Sequence, residues 1–141
     1  MDRIIIPVDA SPEMDSIIEK AFSLAKEMGR SVLAFYIIDT PRLTEVIPPD
    51  GLSTAWESLL SKEAQQLLRK FEQRGKELGI PVEKKIVEGI PENEIIKEAR
   101  KNDLIVMGCK SQGFFDRLLT SNVCEKVIDK SSSSVMTYKM R

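Results

Sequence analysis

The chain has 141 residues, of which 42% are hydrophobic and 30% charged, a composition typical of one globular domain spanning residues 1–141. Its formal net charge of -1 argues against a general nucleic-acid-binding protein, because such proteins neutralise phosphates with a basic face. The absence of histidine excludes Ser-His and Cys-His nucleophile pairs and histidine ligands for zinc.

Two apolar segments flank the first predicted helix. Arg3–Val8 is a short run rich in β-branched residues, which is typical of a parallel strand that is buried on both faces. Ser11 and Pro12 predict the N-cap and the first position of a helix. Apolar residues then recur at three- and four-residue steps until Gly29, which predicts the end of that helix. Residues 32–38 predict a second buried strand.

The rest of the chain continues the alternation of helices and strands. Residues 39–51 contain three prolines and predict a loop. A long helix follows, with an apolar stripe that includes Trp56, and it is expected to fray towards Gly75 and to stop by Gly79. The remaining predicted elements are an edge strand over 82–87, a short helix from Pro91, a strand over 103–107 ending at Gly108, a helix to Asp129 and a strand over 135–138.

This alternation predicts an α/β fold. We expect a single doubly wound domain with a five-stranded, mostly parallel sheet in the order 3-2-1-4-5 and helices on both faces. In that order the chain reverses its winding between strands 1 and 4, and ligands of open α/β sheets bind beyond the carboxyl ends of the strands at this point. The sequence therefore predicts a crevice lined by residues 7–11 and 107–111.

The location of the protein and the state of its cysteines follow from short patterns. The apolar run from Ile4 to Ile6 is too short for a signal peptide or a membrane span, so we expect a cytoplasmic protein without a membrane partner. Cys109 and Cys124 lack CxxC spacing and cannot complete a zinc site on their own. In a reducing cytoplasm we expect two reduced thiols.

The residues of the predicted crevice each have a functional and a structural interpretation. Asp9 can accept hydrogen bonds from a ribose or an amine or hold a magnesium ion, or it can simply close a turn. Gly108 permits close approach of a ligand or only a tight turn. Ser121 or Asn122 starts a helix whose first amides suit a phosphate, or that helix is merely well capped. These residues alone leave the alternatives open.

Four segments of the chain, residues 5–11, 88–91, 103–108 and 123–127, resemble the universal stress protein family. The resemblance covers the whole chain in the right order. It implies the 3-2-1-4-5 sheet derived above and a homodimer formed through the last strand. Many members of that family bind ATP, whereas a second subgroup lacks the nucleotide motif and does not bind it.

The resemblance also implies where a phosphate loop would lie. ATP-binding members share Gly, two residues, Gly, nine residues, Gly, and then Ser or Thr. In this chain the pattern falls on Gly108, Ser111, Ser121 and Asn122, so only the first glycine is kept. A Cβ restricts positive φ and close passage of a triphosphate, and Asp116 adds a negative charge to the loop. We expect weakened or absent binding of ATP phosphates.

The nucleoside half of the implied site is better retained. The resemblance assigns Asp9 to the ribose, Ile37 to the adenine and Lys110 to the phosphates. Ala10 stands where the family usually has glycine. The implied cofactor is ATP or another adenine nucleotide with Mg²⁺, or none. The full set of candidate nucleotide-binding residues is Pro7, Asp9, Ala10, Ile37, Met107, Gly108, Lys110, Ser111, Ser121, Asn122 and Val123.

These features together predict a stress-associated regulatory binding protein without catalytic residues. One alternative is a nucleotide-dependent switch with slow or no hydrolysis. Another is an adaptor that docks an unknown protein through the loop over 41–51 and the helix after it. The segment Ser134–Met140 has no proline and one charge, Lys139, so as an edge strand we expect it to pair with a second copy of the chain.

Overall fold

The computed structural model describes residues 2–9, 11–39, 52–110 and 121–140, and of residues 52–60, 110, 121, 122 and 140 it describes the backbone alone. Within these ranges five strands alternate with four helices. The strands are β1 (Arg3–Val8), β2 (Ser31–Ile38), β3 (Val82–Glu88), β4 (Leu104–Lys110) and β5 (Ser134–Met140). The helices are α1 (Met14–Met28), α2 (Leu52–Leu78), α3 (Pro91–Glu98) and α4 (Ser121–Lys130).

The strands form one sheet in the order β3-β2-β1-β4-β5, so the predicted order is confirmed. Every pairing between neighbouring strands is parallel. Parallel neighbours require crossover connections, and the long helical segments between the predicted strands supply them. In the described part of the chain, no helix is both long and apolar enough to cross a membrane.

Alternation along the strands divides the core into two clusters, one on each face of the sheet. Ile4 and Ile6 belong to the cluster that contains residues of α1 and α2, where Phe22 and Phe71 lie with their ring centroids 6.2 Å apart. Ile5 belongs to the cluster that contains residues of α3 and α4. Because β1 is buried on both faces, its continuous apolar run was a correct sign of a central strand. Burial of each of these Ile or Phe side chains contributes about 1.5–3 kcal/mol to the free energy of folding.

The start of α1 differs from the sequence-based prediction. The helix begins at Met14, and the Ser11 cap with Pro12 in the first helical position is wrong. The backbone N–H of Ser11 instead donates to Asp9 Oδ1 at 2.9 Å, and the carbonyl of Ser11 accepts from the Met14 N–H at 3.1 Å. A turn therefore precedes the helix. The predicted end is confirmed, since Gly29 adopts a left-handed conformation with φ 66°.

Two glycines were misjudged because packing, which a sequence does not display, decides their role. Gly75 does not fray α2, which continues to Leu78. A Cβ at Gly75 would lie 2.7 Å from the carbonyl oxygen of Ile80, so the glycine allows the helix to approach the chain that enters β3. Gly108 does not end β4, because it is in register with Tyr138 of β5. Residues 40–51 of the loop predicted over 39–51, and the side chain of Trp56, lie outside the described residues.

A partly buried ion network closes the amino-terminal end of the sheet. The Arg3 guanidinium lies 2.9 Å from Asp103 Oδ2 and 3.1 Å from Glu98 Oε2. The backbone N–H of Arg100 donates to Asp103 at 2.9 Å, and Lys85 Nζ lies 2.7 Å from Glu98. These groups join β1, β3, α3 and the turn before β4. The charged groups satisfy one another, as burial of charge requires.

The network also fixes the charge states of its members. Burial acts to raise the pKa of Asp103, but hydrogen bonds from Arg3 and from the Arg100 backbone outweigh it and hold the pKa below its ordinary value. Burial opposes ionisation of Glu98 too, and hydrogen bonds from Lys85 and Arg3 lower the pKa of that carboxyl. Both carboxylates are therefore charged at neutral pH.

Candidate functional site

The candidate site is a crevice at the carboxyl end of the sheet, between β1 and β4. β1 and β2 are in register over six residue pairs, from Arg3–Ser31 to Val8–Tyr36. Within their described residues, β1 and β4 are in register over two pairs only, Ile4–Leu104 and Ile5–Ile105. The two strands therefore lose their pairing towards their carboxyl ends. This is the topological switch point at which open α/β sheets bind ligands.

Asp9 lies at the carboxyl end of β1 and is 8% exposed. Its Oδ1 accepts the backbone N–H of Ser11 at 2.9 Å, and its own N–H lies 3.5 Å from the sulfur of Met14. The turn-closing interpretation of Asp9 is thus confirmed for one carboxylate oxygen. A role in holding a ribose stays a prediction, and it is compatible with this turn because a carboxylate accepts several hydrogen bonds.

Tyr36 is a neighbour of Asp9 that the sequence analysis did not single out. Burial raises the pKa of Tyr36 to about 12, and the negative charges of Glu63 and Asp9 add to that rise. The phenol is therefore neutral at physiological pH. The sequence signal for Tyr36 was a tyrosine near the carboxyl end of β2, the strand next to β1. Because side chains alternate along a strand, Tyr36 faces α1 and α2.

An apolar pair lies on the other face of the sheet. Ile37 of β2 is in register with Val87 of β3, and both are partly buried against the cluster of α3 and α4. The sequence analysis predicted Ile37 and missed Val87. The sequence signal for Val87 was its position near the carboxyl end of β3, the strand that pairs with β2. Partly exposed aliphatic side chains at a crevice suit the flat face of an aromatic ligand.

Several predicted site residues turn out to be part of the core. Pro7, Met107, Gly108 and Val123 are all buried, and Met107 and Val123 belong to the cluster of α3 and α4. Met107 is 0% exposed, so its side chain cannot reach a ligand without rearrangement. What these positions offer to a ligand is their backbone.

The phosphate side of the predicted site is described in part. The backbones of Lys110, Ser121 and Asn122 are described, and α4 begins at Ser121, in agreement with the prediction that a helix starts at Ser121 or Asn122. Ala10 and Ser111 lie outside the described residues, as does Asp116. The consequences of the lost glycines for a triphosphate therefore stay predictions.

The two cysteines meet at the same end of the sheet. Cys109 of β4 and Cys124 of α4 form a disulfide with a Cα–Cα distance of 6.1 Å, so the prediction of two reduced thiols is wrong for this structure. The physical reason is tertiary: the first turn of α4 packs against the end of β4 in one hydrophobic cluster. A separation of 15 positions in the sequence did not indicate this proximity.

A separate groove lies between α1 and α2 and has a volume of about 330 Å³. Ser11 lines one end of it, and the ion pair of Lys70 and Asp15 lines its rim. Both side chains of this pair are largely exposed, so the groove is part of the solvated surface. Within the described ranges, no group of three or more Asp, Glu or Cys residues is arranged to hold a metal ion.

This chain matches the universal stress protein family over residues 1–139. It is 32% identical over 139 residues to universal stress protein MJ0531 of Methanocaldococcus jannaschii, with 97% of this chain and 81% of that protein covered. The solved structure of MJ0577 from the same organism superposes with a TM-score of 0.80 at 25% identity, covering 99% of this chain and 96% of the other.

A third relative was solved with a ligand. The universal stress family protein of Arabidopsis thaliana with AMP bound has a TM-score of 0.67 at 21% identity, covering all of this chain and 93% of the other. At that identity the likeness shows the fold alone. The family match over nearly the whole chain, together with the identity to MJ0531, shows that this chain belongs to the universal stress protein family.

Proposed function

We propose that this protein is a cytoplasmic, stress-associated regulator that binds an adenine nucleotide in the crevice between β1 and β4, chiefly through the nucleoside. The observation that carries the proposal is the loss of register between β1 and β4 beyond Ile5 and Ile105, which opens the sheet beside Asp9. The AMP held by the Arabidopsis thaliana relative supports this class of ligand.

The nucleoside is proposed to sit between an apolar surface and an acceptor. Ile37 and Val87 are in register and partly exposed on the face of α3 and α4, which suits contact with an adenine ring. Asp9 is held in place by the Ser11 N–H, so its carboxylate is oriented before a ligand arrives. An oriented charged acceptor forms a hydrogen bond worth about 1.5–3 kcal/mol with a ribose hydroxyl.

The phosphate side is proposed to be weak. The family's second and third loop glycines are replaced by Ser111 and Ser121, and Asp116 brings a negative charge towards an anionic ligand. The second and third phosphates of ATP would thus add little binding free energy. We therefore expect AMP to bind at least as tightly as ATP, and the proposal includes no hydrolysis step and no metal ion.

The experiment that tests this proposal is calorimetric titration of the purified protein with AMP, ADP and ATP. We expect saturable binding, with AMP no weaker than ATP. A matched variant with Ser111→Gly, Ser121→Gly and Asn122→Ser restores the family's loop pattern, and we expect it to bind ATP more tightly than the natural chain does. Absence of saturable binding for all three nucleotides would overturn the proposal. Equal binding of ATP by the natural chain and the restored variant would overturn the argument about the loop.

We further propose that the protein forms a homodimer through β5. This strand lies at the edge of the sheet, and its Met136 is 36% exposed. Val135 and Tyr138 pack against opposite core clusters, so both faces of this strand contact the core. Pairing with a second copy would satisfy the open backbone edge and cover the methionine. Light scattering at micromolar concentration tests this, and the mass of a single chain would contradict it.

A further inference from the structure

The disulfide of Cys109 and Cys124 occupies a position with functional meaning. Cys109 follows Gly108 in β4, and Cys124 follows Val123 in α4. The bond therefore joins the two described elements whose backbones border the phosphate side of the crevice.

The surroundings of the two sulfur atoms permit both oxidation states. Cys124 is 4% exposed and its Sγ lies 3.7 Å from the carbonyl oxygen of Gly108, which a free thiol can use as an acceptor. Cys109 is partly exposed whereas Cys124 is buried, so Cys109 is the more accessible of the two cysteines. Both cysteines belong to or pack against one hydrophobic cluster, which brings the two sulfur atoms within bonding distance of each other.

We propose that Cys109 and Cys124 are a regulatory dithiol–disulfide couple, whose oxidation fixes the start of α4 to the end of β4 and thereby raises the affinity of the crevice for an adenine nucleotide. The regulatory half of this inference rests on the proposed function. Its direction follows from preorganisation, because a ligand that meets two fixed elements loses less free energy in ordering them.

The chemistry is thiol–disulfide exchange with a low-molecular-weight disulfide. The Cys109 thiolate attacks one sulfur of that disulfide, forms a mixed disulfide and releases one thiolate, which takes up a proton. Cys124 then attacks the Cys109 sulfur and releases the second thiolate. Two protein thiols are oxidised, one disulfide is reduced to two thiols, and excess thiol reverses the reaction.

The first test follows the couple itself, without reference to nucleotide. The protein is equilibrated in buffers with varied ratios of reduced to oxidised glutathione, the free thiols are alkylated, and the mass is measured. We expect one two-electron transition between a dithiol and a disulfide. The oxidised form should have a Tm higher by about 5–10 °C, because the bond closes a short loop of the chain. Two thiols that stay alkylatable in every buffer would overturn the proposal.

The second test follows the coupling to the site. Oxidised and reduced wild-type protein are titrated with AMP, and we expect at least threefold tighter binding by the oxidised form. The matched control carries Cys109→Ser and Cys124→Ser, and it should bind AMP as the reduced wild type does in both buffers. Equal affinity of the two wild-type forms would overturn the regulatory half. If neither form binds AMP, both the proposed function and the proposed regulation are contradicted. The mass measurement still decides whether the dithiol–disulfide couple exists.

Discussion

The two ends of the sheet are built from the same strands but treat polar groups in opposite ways. At the amino end, Asp103 accepts hydrogen bonds from the Arg3 side chain, the Arg3 backbone and the Arg100 backbone. At the carboxyl end, Ser11 Oγ and Glu13 Oε2 are buried without a hydrogen-bond partner in the part of the chain that the structure describes. Among the described residues, the polar groups of the amino end satisfy one another, whereas these two atoms at the carboxyl end have no partner.

This difference separates a stabilising function from a binding function. Polar groups that satisfy one another contribute to the free energy of folding and have little left to offer a ligand. The carboxyl end instead carries a turn with orphaned polar atoms and two strands that lose their register. Unsatisfied polar groups at the carboxyl end lower the stability of the domain. The Arg3 network at the amino end offsets that loss.

The sharpest test of the comparison is Asp103→Ala. The variant leaves the partly buried Arg3 guanidinium without its main partner and removes the acceptor of two backbone N–H groups. We expect the free energy of unfolding to fall by about 3 kcal/mol or more. Chemical denaturation measures it. The control is Asp15→Ala, since Asp15 is exposed and lies 3.5 Å from Lys70, and its loss should cost less than about 1 kcal/mol.

Acid should lower the free energy of unfolding through the amino end, as Asp103→Ala does. The hydrogen bonds of the network hold the pKa of Asp103 and Glu98 below their ordinary values of 3.8 and 4.5. Their contribution is thus fully present above those ordinary values and is lost as the pH falls through the lower values of the folded state. We expect the stability difference between the wild type and Asp103→Asn to narrow below about pH 4. A constant difference between pH 7 and pH 2 would contradict the assignment.

Alkali should act on the carboxyl end through Tyr36. Its pKa of about 12 in the folded protein exceeds the ordinary value of 10, mainly because of burial. The resulting stability is fully present below pH 10 and is lost as the pH rises towards the folded value. At pH 11 the wild type should have lost about 1 kcal/mol more than Tyr36→Phe has. Parallel loss in the two proteins would mean that the phenol is not buried as described.

The smallest expected effect is that of Ser11→Ala, and its sign matters more than its size. The hydroxyl of Ser11 is buried without a partner among the described residues, so its removal abolishes an unsatisfied group. We expect the Tm to stay unchanged or to rise by about 1–2 °C. A clear fall in Tm would show that the hydroxyl has a partner and would weaken the contrast between the two ends.

The fold was largely predictable because its signals are local. The run Ile4–Ile6 and the apolar residues after Asp103 predicted buried parallel strands. The predicted helices between strands indicated that crossover connections join them. The Arg3–Asp103 pair was missed because its members lie 100 positions apart. A signal did exist: Arg3 and Asp103 each directly precede an apolar run, and the two runs form neighbouring strands.

The candidate site was predictable in position and less so in content. Topology predicted the crevice, and within their described residues β1 and β4 are in register over only two residue pairs. The contribution of Val87 and the pairing of Cys109 with Cys124 depend on which elements pack together, and no sequence spacing encodes that. Met107 appeared as a site residue for its place beside Gly108, but alternation turns its side chain into the core.

The most direct test of the central claim, that the carboxyl end binds a nucleoside while the amino end stabilises, is calorimetric titration of AMP into the wild type and Asp9→Ala. We predict saturable binding by the wild type and about tenfold weaker binding by the variant, which is the loss of roughly one charge-assisted hydrogen bond. The fold of the variant is checked by circular dichroism and its Tm. Unchanged affinity in a folded Asp9→Ala variant would contradict the account.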